Sequence, residues 1–218
     1  MRQRCSLVIL ITSKVDRCDN KKMTSIVAAK AALRKEVKSI INLLSIEEKC
    51  RQSKIVQEKL FENAVYKQSK RISLFLNMDD EIVTEPILMN ALESGKACYI
   101  PRYESKSNHM DMVRLKSWNE YLSLPVTKWN IKQPSLSQEC EEALSSGGLD
   151  LILVPGLAFT SQGHRMGRGR GYYDTYLAKC KAAMPSMPHT IALAFKEQLL
   201  SHIPTDDKDM VIDVVLTA

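Results

Sequence analysis

Apolar residues recur every three or four positions through the first helix that the chain predicts. These positions are Leu33, Val37, Ile40, Ile41 and Leu44. Such spacing is typical of an amphipathic helix, which here begins near Ser25 and carries Lys30, Arg34 and Lys38 on one face. Ser45-Ile46-Glu47-Glu48 then matches a capping box, in which the Ser45 hydroxyl and the Glu48 carboxylate each accept a backbone N–H. The pattern therefore predicts a second helix directly after the first.

Further helices are predicted later in the chain from their start and stop residues. Thr84 is a favourable N-cap, Pro86 is tolerated in a first turn and Gly95 is typical of a helix end. A helix is therefore expected between Thr84 and Gly95. A short helix is expected near Glu139 to Leu144, and another from about Tyr172 to Lys181.

Short apolar runs bounded by polar residues, proline or glycine predict the strands. They are Ile72–Leu76, Ala97–Ile100, Met110–Leu115, Leu151–Val154, Thr190–Ala194 and Val211–Leu216. Strands that alternate with helices favour a three-layer α/β fold, with a mainly parallel sheet flanked by helices in a Rossmann-like arrangement. In such folds binding sites lie at the carboxyl ends of the strands.

Composition and charge exclude several functional classes. The chain has 218 residues, of which 44% are hydrophobic and 26% are charged, which is typical of a globular protein. Its net charge of +6 is concentrated at the start: residues 1–22 hold six basic and two acidic side chains, and the remainder is nearly neutral. We therefore expect no nucleic-acid partner. The six cysteines show no CxxC pair or zinc-ligand spacing, which favours free thiols.

The first 22 residues are interpreted as a poorly ordered extension, followed by a single domain from 23 to 218. Their apolar run, Leu7–Ile11, is far shorter than the ~20 residues that span a bilayer, so no membrane association is expected. Met23 is an alternative start. We expect a cytoplasmic monomer, with mitochondrial delivery as the alternative if the basic head is translated.

A glycine- and arginine-rich segment, 163–174, is the most specific motif. Its glycines let the backbone approach a ligand closely, Arg165, Arg168 and Arg170 add positive charge, and a predicted helix follows. This pattern indicates an anion site. The spacing matches neither a P-loop nor a dinucleotide fingerprint, and the alternative is a flexible turn beside a solvated basic patch.

Two motifs together carry a family resemblance. Val154–Phe159, followed by Gly167–Asp174, resembles the signature of the 5-formyltetrahydrofolate cyclo-ligases, also called methenyltetrahydrofolate synthetases. The similarity extends from about Lys30 to Val215 and is closest to the animal enzymes. Arg170 stands where many animal members have lysine, which preserves the charge but changes how phosphate is held.

The resemblance implies an ATP- and Mg²⁺-dependent ring closure. In the family the formyl oxygen of 5-formyltetrahydrofolate attacks the γ-phosphate of ATP, and the resulting imino-phosphate closes to 5,10-methenyltetrahydrofolate with release of ADP and phosphate. The implied partners are small molecules: ATP, 5-formyltetrahydrofolate and its polyglutamates. Positioning and charge stabilisation would be the protein's main contribution.

The resemblance also assigns residues to roles. The implied ATP-binding residues are Lys30, Arg34, Arg165, Met166, Gly167, Arg168, Gly169, Arg170, Gly171, Tyr172 and Tyr173. The implied folate-binding residues are Arg34, Leu76, Glu81, Arg168 and Tyr172. Arg168, Arg170 and Tyr172 are the implied catalytic residues, and Asp174 and Asp209 are the implied Mg²⁺ ligands.

From spacing alone, simpler interpretations stay open. Lys30 and Arg34 are also compatible with a solvated helix face, and Glu81 and Asp174 with charges that favour a helix N-terminus. Tyr103 and Trp129 are candidates for stacking on a flat ligand or for packing.

Two functional alternatives are kept. One is a non-catalytic nucleotide- or RNA-binding protein that has retained the fold. The other is an ATP-dependent ligase for a different pterin-like substrate.

Overall fold

A six-stranded sheet forms the centre of the computed structural model, which describes residues 25–104, 107–127 and 131–218. Its strands are β1 (Arg71–Ser73), β2 (Ala97–Tyr103), β3 (Met110–Leu115), β4 (Leu151–Val154), β7 (His189–Ala194) and β8 (Val214–Thr217). Their order is β3-β2-β1-β4-β7-β8, and every neighbouring pair is parallel except β2 with β3. A separate antiparallel ribbon joins β5 (Ala158–Phe159) to β6 (Arg165–Met166).

The helices cover both faces of this sheet. They are α1 (25–42), α2 (Ile46–Glu62), α3 (Ala64–Gln68), α4 (Glu85–Glu93), α5 (Trp118–Ser123) and α6 (Tyr172–Ala183). Leu151 and Leu153 of β4 join the core cluster that contains α1, α2 and α4 residues, whereas Ile152 and Val154 join the cluster that contains Leu177 of α6. Because both faces are buried, β4 is apolar throughout, and the predicted three-layer α/β fold is confirmed.

The local signals for helix starts are confirmed only in part. The Ser45 hydroxyl accepts a hydrogen bond from the backbone N–H of Glu48 at 3.2 Å, as the capping box predicts. The Glu48 carboxylate instead binds Arg51 at 2.7 Å, so the reciprocal half of that motif is wrong. Thr84 precedes α4 as expected, but its hydroxyl donates to the carbonyl of Phe75 rather than capping the helix.

The helix expected near Glu139 to Leu144 is not formed. Residues 141–143 instead run along the outer edge of β3, where the N–H of Arg114 donates to the carbonyl of Glu141 at 2.8 Å. This pairing with an edge strand outweighs the helical tendency of the segment. A helix that was not predicted, α5, begins after Ser117, whose hydroxyl accepts from the N–H of Glu120.

The strand predicted at Ile72–Leu76 is shorter than expected. β1 ends at Ser73, and the chain then leaves the sheet toward a turn that Thr84 and Asn77 hold together: the N–H of Thr84 donates to the Asn77 amide oxygen at 3.0 Å. Beyond Leu74, whose N–H still donates to the carbonyl of Tyr99 at 3.0 Å, side-chain hydrogen bonds replace the sheet ladder.

Two further observations concern the described residues as a whole. None of the helices in the described ranges combines the length and apolar character that crossing a bilayer requires. Four of the cysteines, Cys50, Cys98, Cys140 and Cys180, lie in those ranges as free thiols. The expectations for residues 1–22, Met23 and Trp129 fall outside the described residues.

Candidate active site

A cleft of about 870 Å³ lies where the chain leaves β1 and β4. Its walls come from α1, the segment after β1, the loop that follows β6, the start of α6 and an acidic loop, 206–209. These segments follow the carboxyl ends of neighbouring parallel strands, or pack against them, as is usual for α/β folds. The cleft is therefore the candidate active site.

The loop 167–171 forms the edge of the cleft and leads into α6. Gly171 is the N-cap of α6 with φ of +72°, and Gly169 has φ of +99°, a conformation that other residues rarely adopt. The Arg34 side chain packs against this loop, with its Nε donating to the carbonyl of Gly167 at 2.9 Å. The free N–H groups at the start of α6 thus face a cleft with positive charge around it.

Lys30 connects α1 to the acidic loop. Its Nζ donates to Asp206 Oδ2 at 2.7 Å and to Asp209 Oδ2 at 2.6 Å, and only 9% of its side chain is exposed. Burial alone would lower the pKa of Lys30, but the hydrogen bonds to both carboxylates raise it above its ordinary value. Lys30 therefore remains charged and holds the acidic loop against α1.

The acidic loop is also tied to the start of the glycine-rich segment. The N–H of Ile212 donates to the carbonyl of Gly163 at 2.9 Å. Gly163 has φ of +84°, and a Cβ there would lie 2.0 Å from the carbonyl oxygen of Ile212. Only glycine permits this approach, which fixes the segment that follows Asp209.

Arg165 of β6 and Asp174 of α6 form a partly buried ion pair. Arg165 Nη2 donates to Asp174 Oδ2 at 2.8 Å, and Nη1 donates to the carbonyl of Pro155 at 3.1 Å. Only 4% of the Arg165 side chain is exposed, compared with 22% for Asp174. Arg165 thus orients the Asp174 carboxylate at the first turn of α6, where negative charge is favourable.

Arg168 is held by two consecutive acids from the turn after β1. Its Nη2 donates to Asp80 Oδ1 at 2.5 Å and to Glu81 Oε1 at 3.0 Å, while Nη1 donates to Asp80 Oδ2 at 3.1 Å. Burial works against ionisation of Asp80, but the Arg168 hydrogen bonds hold its pKa below the ordinary value. For Glu81, burial outweighs Arg168 and raises the pKa of the carboxyl.

Three tyrosines line the cleft beside these charges. The rings of Tyr103 and Tyr172 lie 4.9 Å apart, and the Tyr172 hydroxyl donates to the carbonyl of Glu104 at 3.0 Å. Burial raises the pKa of the Tyr103 phenol well above its ordinary value, as it does for Tyr173. Flat apolar surface next to fixed charges suits a planar, polar ligand.

The model of the 5-formyltetrahydrofolate cyclo-ligase family matches residues 26–218. The chain belongs to this family. It is 52% identical to the 5-formyltetrahydrofolate cyclo-ligase of Mus musculus over 189 residues, which are 87% of this chain and 93% of the mouse protein. A probable cyclo-ligase of Caenorhabditis elegans is 37% identical over 195 residues, covering 89% of this chain and 95% of the worm protein.

A solved structure supports the cyclo-ligase fold independently. The NMR structure of the Aquifex aeolicus 5,10-methenyltetrahydrofolate synthetase superposes with a TM-score of 0.69 at 28% identity, covering 86% of this chain and 89% of that one. The resemblance inferred from the two sequence motifs is therefore confirmed, and the protein is an enzyme of the ligase class.

All the site residues that the cyclo-ligase resemblance implied line the one cleft. They are Lys30, Arg34, Leu76, Glu81, Arg165, Met166, Gly167, Arg168, Gly169, Arg170, Gly171, Tyr172, Tyr173, Asp174 and Asp209. Tyr103 also lies there, whereas His109 pairs with Asp111 on the surface. The binding and catalytic roles of the residues in this cleft stay predictions.

Sequence reasoning about the cyclo-ligase site missed Asp80 and Asp206, which pair with Arg168 and Lys30. Their positions offered one signal. Each is an acid within three residues of an acid that had been singled out, Glu81 and Asp209 respectively.

The donor set fits a magnesium ion that arrives with phosphates. Asp174 and Asp209 face the same cleft, and each uses Oδ2 for its cationic partner. No group of three or more His, Cys, Asp or Glu side chains within the described ranges forms a cage for a metal. Mg²⁺ requires no such cage, because it usually keeps several waters and takes one or two carboxylates with substrate phosphates.

Proposed function

We propose that the protein converts 5-formyltetrahydrofolate to 5,10-methenyltetrahydrofolate with consumption of ATP. The observation that carries this proposal is a single cleft in which a glycine-rich basic loop meets a buried glutamate, Glu81, through Arg168. The names of the mouse and worm relatives give the same substrate. Because the basic loop and Glu81 meet in this cleft, it can hold a polyphosphate and a polar, flat ligand next to each other.

The phosphates of ATP would bind along the loop 167–171. Backbone N–H groups at the start of α6 and the positive charges of Arg34 and Arg170 favour an anion there, and Lys30, whose charge is offset by Asp206 and Asp209, lies in the same cleft. Among the described residues no carboxylate pairs with Arg170, which is exposed at the cleft edge. Arg170 is therefore available for a phosphate without first breaking an ion pair.

The folate would occupy the side of the cleft lined by Leu76, Glu81 and Tyr172. The Glu81 carboxylate accepts the backbone N–H of Met78 through Oε2 at 2.9 Å, which fixes its orientation. A carboxylate oriented in this way can accept hydrogen bonds from the N–H groups of a pterin ring. Tyr172 and Tyr103 offer ring faces to its planar part.

The reaction follows from placing the two substrates side by side. The formyl oxygen attacks the γ-phosphorus, the bond to the β-phosphate oxygen breaks, and ADP leaves. N10 of the folate then attacks the activated carbon and loses its proton to solvent, while inorganic phosphate departs with the former formyl oxygen. Arg168 and Arg170 would offset the charge of the transferring phosphoryl group, and Tyr172 would keep the acceptor in line.

Asp174 and Asp209 would hold Mg²⁺ at the phosphate end of the cleft. The ion, when bound, supplies charge neutralisation for the phosphate oxygens. Arg165 keeps Asp174 oriented toward the cleft, and Lys30 does the same for Asp209.

An absorbance experiment tests the proposed reaction. Purified protein is mixed with 5-formyltetrahydrofolate, MgCl₂ and ATP, and the near-ultraviolet band of the methenyl product is followed. We expect growth of the band only when ATP is present. Absence of product with both ligands bound would indicate a different pterin substrate, whereas absence of binding would favour a non-catalytic protein.

We also propose that the enzyme acts as a cytoplasmic monomer with its catalytic domain at 23–218. Light scattering after gel filtration tests the first part of this proposal. Sequencing the N-terminus of the natural protein and fractionating cells would test the start site and the location.

A further inference from the structure

The Asp80 side chain lies behind Arg168 rather than in the cleft. It is 11% exposed, and it is absent from the described residues that line the cleft, whereas Arg168 is among them. Its two oxygens accept from the two terminal nitrogens of Arg168 at 2.5 and 3.1 Å. This end-on, two-bond arrangement fixes the plane of a guanidinium as well as its position.

Glu81 holds the same guanidinium in a weaker way. One oxygen, Oε1, accepts from Arg168 Nε at 3.3 Å and from Nη2 at 3.0 Å, while Oε2 accepts from Met78. Unlike Asp80, Glu81 faces the cleft. The two neighbouring acids therefore differ in what they can reach: Asp80 reaches Arg168, and Glu81 reaches both Arg168 and a bound ligand.

The turn that carries Asp80 is fixed independently of Arg168. The amide oxygen of Asn77 accepts the N–H of Thr84 at 3.0 Å, and the Thr84 hydroxyl donates to the Phe75 carbonyl at 2.7 Å. Arg168, in contrast, lies between Gly167 and Gly169 in a loop without regular structure. The Asp80 carboxylate is thus carried by a turn that is fixed without help from Arg168, and it can serve as the fixed partner of the pair.

We propose that Asp80 is a positioning residue, which holds the Arg168 guanidinium toward the transferring phosphoryl group and acts through Arg168 alone. The inference rests on the proposed function and assigns different roles to Asp80 and Glu81. Asp80 remains bound to Arg168 throughout turnover, and Glu81 exchanges its Arg168 contacts for the folate. The depressed pKa of Asp80 and the raised pKa of Glu81 agree with a permanent and an exchangeable partner.

A double-mutant cycle tests the proposal. Asp80→Asn replaces one accepting oxygen by an amide that repels the Arg168 N–H groups, so we expect kcat to fall about 10- to 100-fold. The KM values for ATP and folate should change by no more than about twofold, because Asp80 touches neither ligand. In an Arg168→Ala background, measured by single turnover at high enzyme concentration, Asp80→Asn should have almost no further effect. Asp79→Asn, an exposed neighbour, is the matched control.

A second readout does not depend on catalysis. In ¹⁵N-labelled protein the Nη–H resonances of Arg168, which belong to the groups that donate to Asp80, should shift and broaden in Asp80→Asn and stay in place in Asp79→Asn. Equal losses of kcat from Asp80→Asn in the presence and absence of Arg168 would overturn the proposal, as would unmoved Arg168 Nη–H resonances. A wild-type protein that makes no product would instead refute the proposed function, and the resonances would still decide the role of Asp80.

Discussion

The contact between Gly163 and Ile212 predicts an unusually costly substitution, Gly163→Ala. At φ of +84° an alanine is strained, and its Cβ would lie 2.0 Å from the Ile212 carbonyl oxygen, which belongs to backbone and cannot rotate away. The chain must therefore move there. Gly95→Ala provides a matched control, because Gly95 also has positive φ, +72°, but a Cβ there meets nothing within 4 Å.

The structure separates the magnitudes of the two changes. Gly95→Ala is destabilised only by its left-handed backbone conformation, which costs about 1–2 kcal/mol. The lower conformational entropy of the unfolded alanine variant offsets part of that cost. Gly163→Ala adds an overpacking cost of about 1–3 kcal/mol and about 1 kcal/mol for the strained hydrogen bond to Ile212. We expect losses of unfolding free energy near 1 kcal/mol for Gly95→Ala and about 3–5 kcal/mol for Gly163→Ala.

Urea denaturation followed by far-ultraviolet circular dichroism measures both values in one experiment. The displaced segment follows Asp209, so Gly163→Ala should also raise the KM for ATP, whereas Gly95→Ala should not. If the two variants lose the same stability to within about 0.5 kcal/mol, the close approach at Gly163 does not constrain the fold as we argue.

The other predictions concern the charged groups of the cleft. Arg168→Ala should lower kcat about 100- to 1,000-fold, a larger effect than its effect on ATP affinity measured by calorimetry; unchanged kcat/KM would exclude its role. Glu81→Ala should weaken binding of 5-formyltetrahydrofolate and spare that of ATP, and equal losses of both would indicate misfolding. Asp174→Asn should raise the Mg²⁺ concentration needed for half-maximal rate, which a metal titration checks. Hydrogen bonding to Lys30 holds the pKa of the Asp206 carboxyl below its ordinary value of 3.8. The contribution of this ion pair to the free energy of unfolding is therefore present above about pH 4 and is lost as the carboxylate is protonated in more acidic solution. Urea midpoints between pH 6 and pH 3 should fall less in Asp206→Asn than in the wild type.

Elements with several agreeing local signals could be predicted from the sequence. Leu151–Val154 is bounded by Asp150 and Pro155, and the strand has the expected limits. The segment 139–144 has no such boundaries, and its conformation is decided by pairing with β3, a contact between residues distant in sequence. Helical propensity alone could not reveal that pairing, since tertiary contacts override it.

The candidate site was predictable to the extent that it lies in one motif. The segment 163–174 carries the loop, its arginines and Asp174 in consecutive order, and its resemblance to a family identified them. Asp80 and Asp206 were missed because an acid near a helix or in a polar loop is usually a solvated charge. Only the folded chain shows that they meet Arg168 and Lys30.

The ion pair between α1 and the acidic loop has a consequence for synthesis of the protein. Lys30 and Asp206 are 176 residues apart in the sequence. Contacts of such long sequence separation form late in folding. A nascent chain therefore cannot close the cleft until residues 206–209 have left the ribosome. Under the proposed reaction, incomplete nascent chains would therefore consume no ATP.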